Sequence, residues 1–366
     1  MKKIISVFLI ITMLFLSCSM SVSAVSNSDS AANIRKVFTT ETDESIYKYD
    51  YSYYSPVKGK DDKTKYPVIL WLHGQLSGDY TGDQIKESDV AYLATAENQA
   101  KIKGAGGAFI LVPRYPTLNV TLAWVGENAN IKKLVDGFIA KHKANVDTSR
   151  IYVGGYSMGG KAAMSFAAAY PNYVAAIFPA SSIYLLSSAE SDLRSLIDMP
   201  IWFFTCKDDD FWGKPIPQQD DWSYLCGITN RKDSIRWTQF SMPLYNYDGS
   251  TILSIGYSEH NAWDPLLHDL IMKSGSMYPN MVTINGNGTK VVLSKDNSFL
   301  AWLSSYSLNG LVGEEGGKDD DDDNSSGGNV SGGSSSGLVF HSLKEILEYI
   351  VSLFDRLYNA LFTYDF

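Results

Sequence analysis

The stretch RIYVGGYSMGGKAAMSF, residues 150–166, decides the fold of this chain. A short apolar run ends in a Gly-x-Ser-x-Gly pattern centred on Ser157, and a helix-forming run follows at once. A serine at a sharp strand-to-helix turn is typical of an exposed nucleophile, because the flanking glycines let neighbouring backbones pass close by. An inert glycine-rich turn is the alternative interpretation, and the rest of the chain has to decide between the two.

Apolar runs like this one recur along the chain. YPVILWLHG (66–74) and GAFILVPRYP (107–116) come before the serine, and VAAIFPAS (174–181) and MPIWFFTC (199–206) come after it. Helix-like segments such as residues 130–144 separate them. Strands that are apolar throughout, alternating with helices, indicate a mainly parallel sheet covered by helices. We therefore predict an α/β fold.

The chain of 366 residues is predicted to divide into four parts. Residues 1–24 have a basic start, an apolar centre and a small-residue cleavage site, as a bacterial-type secretory signal peptide does. Residues 25–309 form the main globular domain. Residues 310–337 are rich in glycine and serine and contain five consecutive aspartates, which predicts a flexible, solvated linker.

The last part, residues 338–366, has apolar side chains at helical spacing. Charged residues interrupt this stripe too often for a bilayer span, so an amphipathic helix is predicted. Self-association or docking on a cell-surface partner fits such a helix. Packing back onto the main domain is the alternative.

Composition excludes several classes of function. A formal net charge of -9 argues against nucleic acid as a partner, because phosphate binding needs a basic surface. The sequence has no Cys-x-x-Cys and no histidine pair at ligand spacing, so no metal and no cofactor is expected. After signal removal two cysteines remain, Cys206 and Cys226, and both a disulfide and a pair of buried thiols stay open.

A serine nucleophile needs a base to take its proton, and the chain has only five histidines. In hydrolases with this serine motif the order along the chain is serine, acid, histidine. Between Ser157 and the predicted linker only His260 and His268 lie downstream. His260 lies in a polar loop after a strand-like run, whereas His268 has helical surroundings. We predict that His260 is the base.

The orienting acid is expected after the strand at residues 201–205, where three consecutive aspartates stand at positions 208–210. These residues repel one another, and only one of them can serve. An oxyanion hole needs two backbone N–H groups. Met158, next to the serine, is predicted to supply one and Gln75 the other, with His73 supporting the loop that carries Gln75.

Several of these segments together resemble a known group of proteins. DTSRIYVGGYSMGG (147–160), PIWFFTCKDDDFW (200–212) and EHNAWDP (259–265) are similar to motifs of secreted α/β-hydrolases of the predicted peptidase/esterase group. That group is related to feruloyl and acetyl-xylan esterases of carbohydrate esterase family 1 and to polyhydroxyalkanoate depolymerases. The resemblance extends over residues 51–308.

The resemblance implies an α/β-hydrolase fold and hydrolysis of esters, such as feruloyl or acetyl esters of polysaccharides, through an acyl-enzyme. It implies Asp209 as the acid, although Thr-Cys stands where the family usually has His-Gly. It also implies that Trp124, Trp212 and Trp263 lie near the substrate, and core packing is the alternative role for these rings. A serine peptidase and an exported binding protein without turnover are the competing hypotheses.

Overall fold

A computed structural model describes residues 25–27, 29–74, 84–86, 88–115, 124, 126–182, 193–211, 218–244, 258–269 and 281–312. These residues all belong to the first of the two units into which the chain divides, Met1–Glu315 and Gly316–Phe366. The predicted signal peptide, the linker beyond residue 312 and the C-terminal helix lie outside the described residues. Within the described part of the chain, no helix is long and apolar enough to cross a membrane.

The strands are β1 (Thr39–Glu41), β2 (Tyr51–Tyr54), β3 (Tyr66–Leu72), β4 (Phe109–Pro113), β5 (Val146–Tyr156), β6 (Ala176–Ala180), β7 (Ile201–Cys206), β8 (Ile235–Phe240), β9 (Val282–Asn285), β10 (Tyr306–Ser307) and β11 (Gly310–Leu311). The helices are α1 (Ala31–Arg35), α2 (Ala96–Gln99), α3 (Asn128–Lys141), α4 (Met158–Ala169), α5 (Gln219–Ile228), α6 (Trp263–Leu267) and α7 (Phe299–Leu303). The 3₁₀ turns among the described residues are Asp89–Ala94, Lys232–Ser234, Ser258–His260 and Lys295–Asn297.

The first nine strands form one sheet in the order β1-β2-β4-β3-β5-β6-β7-β8-β9. The six strands from β3 to β8 run parallel, and β1, β2 and β9 pair antiparallel at the two sides. The prediction of a mainly parallel sheet is therefore confirmed. The strands β3, β4, β6 and β7 are buried along their whole length, as their uninterrupted apolar sequences require.

The two faces of the sheet carry separate apolar cores. On β3 the side chains of Val68 and Leu70 point to the face covered by α3 and α4, while Ile69 and Trp71 point to the face covered by α6 and α7. This alternation is the period of two that a strand imposes. Each large apolar side chain buried in this way contributes roughly 1.5–3 kcal/mol.

The chain has the α/β-hydrolase fold. Helices cover both faces of a twisted parallel sheet whose second strand is reversed, and the central strand β5 turns sharply into α4 at Ser157. Parallel strands place all of their carboxyl ends at one edge of the sheet, and ligands bind at that edge in open α/β sheets. The topology therefore gathers the loops after β3, β4, β5 and β7 in one place.

The chain turns back directly after β9. Segment 282–293 contributes β9 to the main sheet, and the returning part forms a β-bridge between Ile284 and Lys290.

Of the two alternatives for the cysteines, the structure has the free thiols. Cys206 and Cys226 are both buried and form no disulfide. Burial raises the pKa of Cys206 to about 12 and that of Cys226 to about 11, which keeps both thiols protonated at neutral pH.

Candidate active site

Ser157 lies at a strained turn between β5 and α4. Its φ is +53° and its ψ is -120°, in a region that residues other than glycine rarely adopt. Such a conformation costs on the order of 1–3 kcal/mol and persists only where surrounding structure enforces it. Here the Ser157 N–H donates to the carbonyl of Ala180 on β6 at 2.9 Å, and the Ser157 carbonyl accepts from the N–H of Lys161.

The glycines beside the serine provide clearance. A Cβ added to Gly155 would lie 2.4 Å from the carbonyl oxygen of Gly159, and one added to Gly159 would lie 1.9 Å from the carbonyl oxygen of Leu72. Neither glycine has a positive φ, so neither is needed for conformational freedom. The sequence interpretation of these glycines as room for close backbone approach is confirmed.

His260 forms a hydrogen-bonded pair with Asp209, which lies just after β7. The imidazole Nδ1 is 2.9 Å from Asp209 Oδ2, and both side chains are buried. The other carboxylate oxygen, Asp209 Oδ1, accepts the backbone N–H of Phe211 at 3.1 Å. The Phe211 ring stacks on the imidazole with centroids 4.3 Å apart, and the Trp263 ring meets it edge-on at 5.5 Å. These contacts fix the orientation of the imidazole.

The three consecutive aspartates have separate positions. Asp208 accepts the backbone N–H of Met242 at 3.0 Å and lies 3.8 Å from the thiol of Cys206. Asp210 is exposed. Of the three, Asp209 is the one that contacts His260, a choice that the sequence alone left open.

Aromatic packing joins the serine turn to the histidine segment. The ring of Tyr156, the residue before the serine, lies 4.2 Å from the ring of Trp263. Trp263 in turn contacts His260, three residues earlier in the chain. Ser157, Asp209 and His260 are thus brought to the same edge of the sheet by β5, β7 and the segment before α6.

The loop after β3 begins beside the serine and is held by His73. A Cβ added to Gly74 would lie 3.1 Å from Ser157 Cβ, so the two segments are in close contact. The fully buried His73 ring donates from Nδ1 to the Gly74 carbonyl at 2.6 Å and accepts the Tyr115 N–H at Nε2 at 2.9 Å. Burial, together with the charge of Arg114, lowers the pKa of His73 to about 4, so the ring is neutral.

Outcomes for the other predicted residues differ. Met158 begins α4 directly after the serine, whereas Gln75 and Trp212 lie outside the described residues. Trp124 is buried, and its Nε1 donates to the His73 carbonyl at 2.8 Å. Trp263 is also buried, between Tyr156 and His260. Both described tryptophans therefore pack beneath the site and support its residues.

Sequence reasoning missed a buried polar network that joins the ends of β6 and β7. Gln218 is fully buried, and its Nε2 donates to the Pro179 carbonyl at 3.2 Å and to Ser182 Oγ at 3.0 Å. Its Oε1 accepts from Thr205 Oγ1. A glutamine before a polar helix has no distinctive signal in the sequence, because its partners come from two distant strands. The network fixes the edge that carries Ser157 and Asp209.

The described residues contain no group of three histidine, cysteine, aspartate or glutamate side chains placed to hold a metal ion.

No family model matches the chain, and no curated protein matches it. Solved structures do match. A structure described as that of a thermostable esterase has a TM-score of 0.46 and 22% identity over 64% of this chain and 60% of its own. A ferulic acid esterase has a TM-score of 0.43 and 14% identity over 64% of this chain and 94% of its own. Both similarities are low in sequence and in shape, and the match to the thermostable esterase spans less than two thirds of that chain.

Proposed function

We propose that this chain is a secreted serine carboxylesterase. The observation that carries the proposal is the buried pair of His260 and Asp209, at the same sheet edge as the strained turn of Ser157. A buried carboxylate that orients an imidazole near a serine turn is the arrangement that acyl transfer requires. An inert turn gives no reason for a histidine and an aspartate 51 residues apart to pair there.

In the proposed reaction Ser157 Oγ attacks the ester carbonyl, and Nε2 of His260 takes the serine proton. The hydrogen bond from Nδ1 to Asp209 holds the tautomer that leaves Nε2 able to accept, and stabilises the imidazolium that forms. His260 then gives the proton to the leaving alcohol. His260 next takes a proton from a water molecule, which attacks the carbonyl of the acyl-enzyme. The bond to Ser157 Oγ breaks, His260 returns the proton to Oγ, and the carboxylic acid is released.

The tetrahedral intermediates carry negative charge on the former carbonyl oxygen. The proposed oxyanion hole uses the N–H of Met158, at the amino end of α4, and the N–H of Gln75. Support for this location comes from the contact of Gly74 with Ser157 and from the two hydrogen bonds of His73 that hold the loop. One such donor is worth about 10²–10³ in kcat where it has been removed in other hydrolases.

The proposed substrate class and cellular location rest on the sequence. We infer feruloyl or acetyl esters of polysaccharides as substrates, from the motifs that resemble carbohydrate esterase family 1. The signal-like residues 1–24 favour export, and residues 338–366 favour self-association or docking at a cell surface.

The test is an assay of the chain without residues 1–24 on 4-nitrophenyl acetate, a feruloylated oligosaccharide and a peptide anilide. We expect turnover of the esters and a loss of about 10⁶-fold in kcat for Ser157→Ala. Turnover of the anilide alone would assign a peptidase. If none of the three is turned over, the exported binding protein without turnover is the hypothesis that remains.

A further inference from the structure

Three tyrosines lie at the carboxyl edge of the sheet, on the side of the proposed catalytic residues. Tyr115 follows β4 by two residues, and Tyr47 and Tyr49 precede β2, which runs antiparallel to β4. The first residues of an antiparallel strand lie at the same edge as the last residues of its parallel-sheet neighbour. Tyr47, Tyr49 and Tyr115, here called the tyrosine cluster, are therefore at the edge where Ser157 lies.

Aromatic contacts run from this cluster to the loop beside the serine. The rings of Tyr49 and Tyr115 meet edge to face at 5.7 Å, and Tyr115 lies 5.1 Å from the ring of Trp124. Trp124 contacts the His73 ring at 5.0 Å, and His73 bonds to Gly74. The cluster is thus connected by direct packing to His73, whose neighbour Gly74 lies beside Ser157.

The surface of the cluster combines aromatic and charged groups. Tyr47 is buried at its base, whereas Tyr49 and Tyr115 are partly exposed. The exposed Lys48 places its Nζ 4.7 Å from the centroid of the Tyr49 ring. Burial raises the pKa of Tyr115, and the nearby, partly exposed carboxylate of Glu127 raises it further. Tyr49 and, to a smaller extent, the charge of Glu127 raise the pKa of Lys48. Two rings, an ammonium and a carboxylate, each at least partly exposed, thus lie near one another.

We propose that the tyrosine cluster binds a neutral sugar ring. A sugar has a face of C–H groups that packs on an aromatic ring and a rim of hydroxyls that accept from an ammonium and donate to a carboxylate. A purely apolar group would desolvate Lys48 and Glu127 without new hydrogen bonds. An acidic polymer would be repelled by the carboxylate of Glu127. A neutral sugar is the ligand that satisfies all four groups.

This assignment rests on the proposed function in one respect: it makes the sugar the alcohol part of the ester. The contacts from Tyr49 through Trp124 and His73 to Gly74 place the cluster, and with it the sugar, on the Gly74 side of the serine. The acyl group then occupies another part of the site.

The chain supplies a matched control on the opposite side. Tyr173, which lies between α4 and β6, has Lys132 Nζ 4.5 Å from its ring centroid and donates its hydroxyl to Asp136 at 2.8 Å. It therefore repeats the set of tyrosine, lysine and carboxylate. Because it precedes β6, it lies at the amino edge of the sheet, away from Ser157.

The first arm measures binding without turnover. The chain carrying Ser157→Ala is titrated calorimetrically with xylohexaose, mannohexaose and cellohexaose. We expect at least one of these to bind, Tyr49→Ala to weaken its binding about tenfold, and Tyr173→Ala to leave it unchanged. Binding of none of the three, or equal weakening by the two tyrosine substitutions, overturns the proposal.

The second arm separates the sugar site from the catalytic function. In the active chain, Tyr49→Ala is expected to raise KM for a feruloylated oligosaccharide about tenfold, with kcat unchanged and methyl ferulate and 4-nitrophenyl acetate unaffected. An equal rise in KM for methyl ferulate means that the cluster holds the aryl group, which overturns the sugar assignment. Oligosaccharide binding without hydrolysis of any ester contradicts the proposed esterase function and supports the sugar site.

Discussion

Ser157 and His260, the two residues at the centre of the site, are held in different ways. The serine lies at the end of the central strand, and main-chain groups define its place: a hydrogen bond to Ala180, and the Leu72 carbonyl, which leaves no room for a side chain at position 159. The histidine belongs to a segment, residues 258–269, that pairs with no strand of the sheet in the described part of the chain.

Side chains hold the histidine segment in place. His260 contacts Asp209, and farther along the same segment His268 Nε2 lies 2.9 Å from Asp89 Oδ2. Asp269 forms an ion pair with Lys101. The nucleophile is thus positioned by backbone and the base by side chains. Conservative substitutions of the partners of His260 should therefore lower activity without unfolding the chain. Adding a single methyl group at position 159 should instead disrupt the turn at Ser157.

Of the substitutions that test this comparison, Asp209→Asn is expected to lower the rate most. The amide keeps the shape but favours the wrong imidazole tautomer, and an equivalent change in another serine hydrolase costs about 10⁴-fold in kcat. Asp208→Asn, on the neighbouring residue, should cost less than about tenfold, because Asp208 bonds to Met242 and not to His260. Steady-state kinetics on 4-nitrophenyl acetate measures both, and equal losses would contradict the assignment of Asp209.

Gly159→Ala tests the backbone side of the comparison. Its Cβ would meet the Leu72 carbonyl at 1.9 Å, so β3 and α4 must separate, at a cost on the order of 3–5 kcal/mol in unfolding free energy. Gly227→Ala in α5 is the matched control. No atom lies within 4 Å of its added Cβ, so alanine should stabilise this helix by about 0.5–1 kcal/mol. Urea unfolding distinguishes the two, and equal stabilities would refute the clearance argument.

His73→Gln tests the loop beside the serine through pH. The folded-state pKa of His73 is about 4, below the unfolded value of about 6.5, so between these values the unfolded chain binds a proton that the folded chain does not. Stability from His73 is therefore complete above pH 6.5 and decreases as the pH falls towards 4, by roughly 3 kcal/mol. Unfolding at several pH values should show this slope in the original chain and its loss in the variant; parallel slopes would exclude a neutral buried His73.

His268→Leu should have the smallest effect. It removes the contact with Asp89 and the packing on Tyr92, whose ring centroid is 4.1 Å away. We expect kcat to fall about tenfold with KM unchanged, because the segment carrying His260 loses one attachment. A double-mutant cycle with His260→Ala identifies the route: the second substitution should then have no further effect on the residual rate. Independent, additive losses would show that His268 does not act through His260.

The sequence was sufficient for features that depend on neighbouring residues. Uninterrupted apolar runs predicted the parallel strands, and the Gly-x-Ser-x-Gly pattern between a strand and a helix predicted the turn at Ser157. Chain order left His260 and His268, and their surroundings, a polar loop for the first and a helical stretch for the second, favoured His260. In the structure the first contacts Asp209 while the second contacts Asp89. Each of these inferences needed only the local pattern or the order of motifs.

Features that depend on distant residues did not follow from the residue pattern, and the choice of Asp209 came only from the family resemblance. Asp208 and Asp209 follow the same strand with the same chemistry, and only a contact with a residue 51 positions away distinguishes them. The Gln218 network and the tyrosine cluster likewise join strands that are far apart in sequence. The two cysteines, with no pattern to decide between a bond and free thiols, needed the geometry of the folded chain.

The borders of the sheet limit its capacity for aggregation. A strand at the edge of a sheet exposes unpaired backbone groups on which another chain can add. Here one border is β1, only three residues long, and the other is β9, four residues long. The return of the chain after β9 places the Val291 N–H on the Thr283 carbonyl and the Asn285 N–H on the Thr289 carbonyl. A nine-stranded sheet with long apolar central strands thus ends on both sides in short strands, one of them already covered, so neighbouring molecules find little edge on which to polymerise.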